Sequence, residues 1–204
     1  MNTCNGPNPP PVLIRRTKAA LHLILNRPET INSLTMEMLR IIADEIARAA
    51  SEKAVKLVIF SGNGAKGFCA GGDIKIMAKA VTNNNIEPVM SFLKVENKLD
   101  LAIHNFHKPV VVFAHGVTMG GGLGLSAGAD IVAANETTRM AMPETRIGFF
   151  PDVGATGWLF QKCRQGYPEF LGLTGYEISG SECMRVGLSN CLIPDDLFTA
   201  AIDA

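Results

Sequence analysis

The sequence lacks net charge: its 204 residues carry 19 Lys and Arg against 19 Asp and Glu. The basic residues are scattered and form no stripe, so the electrostatic footprint of a nucleic-acid-binding protein is absent and no nucleic-acid partner is expected. Hydrophobic residues make up 47% of the chain, which together with zero net charge excludes disorder as its main state. A chain of this length is expected to form one domain.

Cysteine forms neither a disulfide pattern nor a zinc pattern. The cysteines are odd in number and include no CxxC pair, at positions Cys4, Cys69, Cys163, Cys183 and Cys191. We therefore predict free thiols, a reducing cytoplasmic location and no metal site. The stretch from Met1 to Pro11 has neither the apolar core of a signal peptide nor the Arg-rich pattern of a transit peptide. It is predicted to be a flexible tail ahead of a folded core over residues 12–204.

One long run without charged residues, from Pro109 to Ala129, raises the question of a membrane span. Its glycines at every fourth position from Gly116 resemble a small-residue ladder. However, the three adjacent glycines Gly120 to Gly122 are poor helix interior, and the β-branched stretch 110–114 is typical of a buried strand. The run is better explained as strand, glycine turn and helix, and no membrane span is predicted.

Strands and helices are predicted to alternate along the chain, which indicates an α/β fold with mainly parallel strands. The predicted strands lie at 12–17, 19–26, 56–60, 110–114, 131–134 and 139–142. The predicted helices lie at 35–50, 74–80 and 87–105, and between the second glycine turn and Ala127. Beyond Ala155 mostly short helices are expected, with Pro168 and Pro194 as breaks.

Two buried strands each run into a glycine-rich turn, 67–73 after the first and 116–124 after the second. Glycine lets a backbone approach a ligand closely, and a helix start presents free N–H groups. Two such loops could direct one N–H each at the same oxygen, which is an oxyanion hole without a charged side chain. The alternative is that packing alone requires both turns, and the glycine pattern does not separate the two interpretations.

A dinucleotide fingerprint is a further alternative for the second turn. Gly122 to Ala127 fits G-x-G-x-x-A after a strand, and Glu144 follows Gly124 at the spacing of a ribose-binding acid. This would make the protein an NAD-dependent oxidoreductase. Glycine-rich stretches produce such spacings easily, and this hypothesis leaves the first glycine turn unexplained.

Glu144 and Asp152 are the only acids in an apolar segment shaped by Pro and Gly, 142–154. Such surroundings desolvate a carboxylate and raise its pKa toward the range of a general acid or base, although both acids could instead cap turns. Taken alone, Glu96 on the long helix is typical of a solvated helix acid. Cys69 is interpreted as a small buried hydrophobic residue, because no paired His or Asn is recognisable.

Taken together, several ordered motifs resemble the crotonase, or enoyl-CoA hydratase/isomerase, superfamily. They are Lys66-Gly-Phe-Cys-Ala-Gly-Gly-Asp73-Ile74, Lys108-Pro109, His115-Gly116, Met119-Gly-Gly-Gly122 and Met142-Pro-Glu144. The resemblance begins at Ile24 and implies a spiral of ββα units that binds an acyl-CoA substrate. It also implies that no metal or redox cofactor is needed, since CoA arrives as part of the substrate. The resemblance allows a homo-oligomer.

Within the superfamily the chain is most similar to the 3-hydroxyisobutyryl-CoA hydrolases of valine breakdown, through 116–124 and 141–154. Hydratases carry a Glu where this chain has Gly124 and lack an acid at Asp152. A hydratase or isomerase of the same superfamily is the main alternative. The hydrolases also continue into a C-terminal helical region, which this resemblance implies is missing here.

The resemblance also implies a role for each site residue. Gly72 and Gly121 would donate N–H groups to the thioester oxygen. Glu144 would act as nucleophile or as base toward water, and Asp152 would hold the substrate's 3-hydroxyl or orient Glu144. The remaining substrate-contacting positions would be Glu96 at the acyl group and Ala70, Asp73 and Ile74 near the CoA moiety.

Overall fold

The computed structural model of the protein describes residues 9–203. In chain order the strands are β1 Val12–Arg16, β2 Ala20–Leu25, β3 Leu57–Gly62, β4 Val110–Ala114, β5 Val117–Met119, β6 Ile131–Ala134, β7 Arg139–Ala141, β8 Ile178–Ser179 and β9 Cys191–Leu192. The helices are α1 Met36–Ser51, α2 Ile74–Thr82, α3 Glu87–His104, α4 Gly121–Ala127, α5 Ala155–Lys162, α6 Tyr167–Thr174, α7 Ser181–Val186 and α8 Asp195–Asp203. This alternation is the predicted α/β class.

The main sheet has six strands in the order β1-β2-β3-β4-β6-β9. Only the β1–β2 pair is antiparallel, and each later neighbour is parallel. The central strands consist largely of β-branched and aromatic residues, and Val58, Phe60 and Val112 have no exposed surface. On the opposite face, Phe113 and Ala133 are buried in a second, smaller cluster with Phe198. Both faces are thus covered, as expected of a parallel sheet, and the main core lies around β3 and β4.

A second, three-stranded sheet in the order β5-β7-β8 differs from the prediction. The sequence predicted a glycine turn leading directly from β4 into α4, whereas the structure inserts β5 between them. Three residues are too few to show a strand period, and β5 forms because it pairs in parallel with β7 from Val117 to Met119. The resulting β4–β5–α4 segment is a ββα unit.

Three further features differ from the prediction. Pro168 does not break a helix but lies in the first turn of α6, where a missing N–H leaves no hydrogen bond unmade. Helix α2 runs to Thr82, which shortens the loop predicted after Ala80. The two-residue strands β8 and β9 were not predicted, because pairing with β7 and β6 rather than local pattern forms them.

The predicted tail over 1–11 falls mostly outside the described residues. Within them, Asn26 donates hydrogen bonds to the carbonyl oxygens of Pro10 and Pro11 at 2.8 Å. The cysteines that the structure describes, all except Cys4, are free thiols. Across residues 9–203, no helix combines the length and the apolar character needed to span a membrane.

Helices α3 and α4 pack against each other, and both carry residues of the candidate site. α3 buries apolar Phe92, Leu99 and Ile103 on one face, together with the acids Glu96 and Asp100. Helix α4 begins at Gly121 and is formed largely of small residues. Small residues let the two helix backbones approach closely, so that acids on α3 reach the backbone of α4.

Candidate active site

The two glycine-rich loops lie side by side. Cys69 joins them through its backbone: its N–H donates to Val117 O at 3.1 Å, and its carbonyl accepts from Met119 N–H at 2.9 Å. At Gly71 the backbone has a φ of 92°, which glycine adopts without strain. A Cβ there would lie 3.2 Å from Gly121 N, so the loops are in direct contact.

Gly72 and Gly121 each present a backbone N–H without a protein acceptor among residues 9–203. The neighbours of Gly72 form the bridge to Leu34: Leu34 N–H donates to Gly71 O, and Asp73 N–H donates to Leu34 O. The N–H of Gly72 is not used in this bridge. Gly121 is the first residue of α4, where an N–H has no intrahelical partner. Both N–H groups are therefore free to donate to a ligand, and donation to one shared oxygen stays a prediction.

Glu144 lies against Gly120, the residue before the free amide of Gly121. Gly120 N–H donates to Ala141 O at 3.2 Å, which fixes the start of α4 against the end of β7, three residues before Glu144. The Glu144 Oε1 atom lies 2.7 Å from where a Cβ on Gly120 would be, and Oε2 is buried without a hydrogen-bond partner. Burial and the neighbouring Asp152 carboxylate raise the pKa of Glu144 to about 7. Such a group exchanges protons near neutral pH.

Asp152 stands in the loop before α5 and shares the pocket with Glu144. Burial raises the pKa of its carboxyl group, and its charge in turn raises the pKa of Glu144. The next residue, Val153, has a φ of 46°, which is strained for a β-branched side chain and costs about 1–3 kcal/mol. Val153 is nevertheless buried, so packing against the core holds Asp152 at this position.

Glu96 is not the solvated acid that its helix position alone suggested. The residue is only 3% exposed, and a Cβ added to Gly121 would overlap its Oε1 atom. This oxygen has no hydrogen-bond partner among the described residues. Burial, Asp152 and Glu144 raise the pKa of Glu96 to about 8. The carboxyl group therefore lies against Gly121, and its contact with the acyl group of a substrate stays a prediction.

Asp100 is a fourth acid of this cluster, which the sequence analysis missed. It lies one helical turn after Glu96, is 8% exposed, and neither of its carboxyl oxygens has a hydrogen-bond partner among the described residues. Burial, Glu96 and Asp152 raise its pKa well above the ordinary value. A signal was present, because Asp100 falls on the same face of α3 as the buried Leu99 and Ile103.

The predicted CoA-contacting positions lie on the first loop. The Asp73 carboxylate accepts hydrogen bonds from both terminal guanidinium nitrogens of Arg27 at 3.2 Å, and Arg27 also donates to Ser33 O. Ala70 N–H donates to Ile31 O, and the Ile74 side chain is 54% exposed. The ion pair thus fixes the loop that carries Gly72. Contact of Ala70, Asp73 and Ile74 with CoA remains a prediction.

Packing accounts for the other candidates. Cys69 is fully buried, and burial raises the pKa of its thiol to about 12, so it does not form a thiolate at neutral pH. A Cβ on Gly122 would overlap Cys69, and one on Gly124 would overlap Val153. Close packing therefore requires the glycines of the supposed dinucleotide fingerprint. In the part of the chain that the structure describes, no group of His, Cys, Asp and Glu has a metal-binding arrangement.

Comparison with known proteins agrees with this geometry. The family model for enoyl-CoA hydratase/isomerase matches residues 20–204. A mitochondrial 3-hydroxyisobutyryl-CoA hydrolase of Danio rerio is 37% identical over 91% of this chain and 48% of its own length. The small ribosomal subunit protein mS47 of Schizosaccharomyces pombe is 33% identical over 92% of this chain and 43% of its own length. The crystal structure of a carnitinyl-CoA dehydratase from Mycobacterium thermoresistibile superposes with a TM-score of 0.88 at 34% identity, covering 94% of this chain and 57% of that one.

The spiral of ββα units, with paired glycine loops over a carboxyl pocket, defines a crotonase-type fold. The chain belongs to the enoyl-CoA hydratase/isomerase family. It spans about half the length of the curated relatives it matches.

Proposed function

We propose that this protein hydrolyses acyl-CoA thioesters, with 3-hydroxyisobutyryl-CoA as its substrate. The observation that carries the proposal is the position of Glu144, a buried carboxyl group with a pKa of about 7 that lies against Gly120, the residue before the free amide of Gly121. This arrangement suits attack on a carbonyl whose oxygen becomes negative. The name of the Danio rerio relative supports the substrate.

In the proposed reaction the thioester oxygen accepts hydrogen bonds from the N–H groups of Gly72 and Gly121. One such donor lowers a barrier of this kind by about 2.7–4 kcal/mol. Ionised Glu144 either attacks the carbonyl carbon or removes a proton from the attacking water. Asp152 holds the 3-hydroxyl of the substrate or orients Glu144, and Glu96 lies against the acyl group.

The position of Gly124 favours hydrolysis over hydration. The resemblance places a glutamate of the hydratases here, but a Cβ on Gly124 would lie 2.7 Å from Val153 Cβ and 2.8 Å from Asp100 Oδ2. Separations under about 3 Å leave no room for a glutamate side chain unless both neighbours move. Without an acid at this position, a mechanism with two opposed glutamates cannot be assembled.

Two other functions have specific support. The carnitinyl-CoA dehydratase similarity favours a hydratase or isomerase, in which Asp152 would serve as the second acid–base group. A non-catalytic CoA-binding or interaction module is the second alternative, and the similarity to mS47, which is named as a ribosomal subunit protein, supports it. Such a module would bind CoA thioesters while Glu144→Gln changed no turnover.

Thiol release separates these functions. Wild-type protein incubated with 3-hydroxyisobutyryl-CoA should release free CoA thiol, detected with a chromogenic disulfide, and Glu144→Gln should abolish the release. Glu136→Gln, which changes an exposed acid outside the cluster, is the matched control and should retain the wild-type rate. Loss of the enoyl absorbance of crotonyl-CoA without thiol release would overturn the hydrolase and support the hydratase.

A further inference from the structure

A cavity of about 370 Å³ adjoins the carboxyl cluster and is not used by the reaction described above. Asn97, Asp100 and His104 of α3 line one side of it, and Gly124 of α4 lies on another. Val153, which directly follows Asp152, also lines the cavity. The cavity therefore begins at the residues that adjoin the reaction centre.

The packing of α3 against α4 places the cavity alongside their line of contact. Added Cβ atoms would meet Glu96 at Gly121, Asp100 at Gly124 and the backbone of His104 at Gly128. These three contacts advance together by about one helical turn, or about 5.4 Å, at each step. The first contact lies at a free amide, the second at the buried Asp100, and the third at His104, whose side chain is exposed. This line of contact, the α3/α4 seam, thus runs from Glu96 beside the free amide of Gly121, past Asp100, to the exposed His104, and the cavity lies along its last two contacts.

Asp100 gives the inner end of this cavity a polar character. The residue is more than nine-tenths buried, lines the cavity, and has two carboxyl oxygens with no partner among the described residues. A buried polar group without a partner costs about 1–3 kcal/mol, and an ordered water satisfies it where there is room. A water molecule needs about 10–15 Å³ of such space, so the cavity has room for several.

Hydrolysis needs one water molecule at the thioester carbonyl in each turnover. In the balanced reaction the water oxygen forms a bond to the carbonyl carbon and the carbon–sulfur bond breaks. Sulfur takes one proton of the water, and the other is released to solvent when the product acid ionises. With an acyl-CoA bound across the two glycine loops, these loops are covered by substrate, whereas the seam between α3 and α4 leads elsewhere.

We propose that the α3/α4 cavity is the water-access route of the enzyme and that Asp100 is a positioning residue which holds the innermost water for delivery toward Glu144. Asp100 acts through water and does not contact the acyl group. This inference rests on the proposed hydrolysis, because a hydrolase consumes one water in each turnover. Asn97 and His104 form the outer end of the route.

Two variants test the route from opposite ends. Asn97→Trp places a bulky side chain at the exposed outer end, and Asp100→Leu removes the polar group at the inner end. Each should lower kcat at least about tenfold while leaving KM for 3-hydroxyisobutyryl-CoA unchanged, since the acyl-CoA contacts remain. Asp100→Asn keeps hydrogen-bonding atoms and should recover most of kcat. Lys98→Trp, at the adjacent exposed position outside this cavity, should match wild type.

The outcomes separate the route from the hydrolase itself. A wild-type protein that releases no thiol overturns the hydrolase. A wild type that releases thiol, with Asn97→Trp at the same kcat, overturns the route, and so does a rise in KM alone, which would place the acyl chain in the cavity. If Asp100→Leu does not fold by circular dichroism, Asn97→Trp decides the question, because its side chain lies at the surface.

Discussion

Replacing Glu96 by Gln should stabilise the protein at alkaline pH. The Glu96 carboxyl group is buried beside Asp152 and Glu144, which raise its pKa from 4.5 to about 8. Between these two values the folded chain retains a proton that the unfolded chain has lost. The contribution of Glu96 to the free energy of unfolding is therefore greatest below pH 4.5, declines between pH 4.5 and 8, and is lost as the pH rises through 8.

The size of the pKa shift of Glu96 sets the expected change in the free energy of unfolding. Each pH unit between 4.5 and 8 costs about 1.4 kcal/mol, so ionisation lowers the free energy of unfolding by at most about 5 kcal/mol above pH 8. Gln has nearly the same shape and never ionises. Because neighbouring carboxyl groups relax, we expect Glu96→Gln to gain about 2–4 kcal/mol at pH 8.5 relative to its effect at pH 5.

Urea unfolding monitored by circular dichroism at pH 5 and pH 8.5 measures this difference. Glu87→Gln, at an exposed acid in the first turn of the same helix, is the control and should show the same effect at both pH values. The reasoning is refuted if Glu96→Gln changes the free energy of unfolding equally at both pH values, or if the variant is less stable than wild type at pH 8.5.

Three further predictions concern activity. kcat/KM should rise with pH through about 7 as Glu144 ionises, and a flat profile from pH 5 to 8 would contradict its role. Gly121→Ala, whose Cβ overlaps a buried carboxyl group, should lower kcat about 10²–10³-fold, whereas Gly157→Ala, with open space at its Cβ, should leave kcat unchanged. Arg27→Met removes the ion pair that fixes the Asp73 loop and should raise KM more than it lowers kcat; an unchanged KM would count against that positioning role.

Much of the fold was predictable because its central strands are continuous buried runs. The stretches around Val58 and Val112 lie between loops and amphipathic helices, a pattern that indicates parallel strands without any tertiary information. The sequence did not predict β5, because β5 has no apolar run of its own that is long enough to indicate a strand. Its three residues form a strand only because β7 lies beside them, and a local pattern cannot show a partner distant in sequence.

The site was predictable where residue type and surroundings agree. Glu144 and Asp152 are acids in an apolar segment, and the structure brings them close enough for the charge of Asp152 to raise the pKa of Glu144. Glu96 and Asp100 lie within an ordinary amphipathic helix, where an acid is typically solvated. Asp100 shares a helix face with the buried Leu99 and Ile103, which is a local signal, but the burial of both acids depends on the small residues of α4, which bring its backbone against α3.

The most direct test of the central claim follows the oxygen of water through many turnovers. 3-Hydroxyisobutyryl-CoA is incubated with the protein in ¹⁸O-labelled water, and the masses of the products are measured by mass spectrometry. Hydrolysis with Glu144 as base or as nucleophile predicts one ¹⁸O in the carboxylate of the free acid and an equal amount of CoA thiol. An intact thioester that carries ¹⁸O at its 3-hydroxyl would contradict the account, since reversible dehydration and hydration give that product.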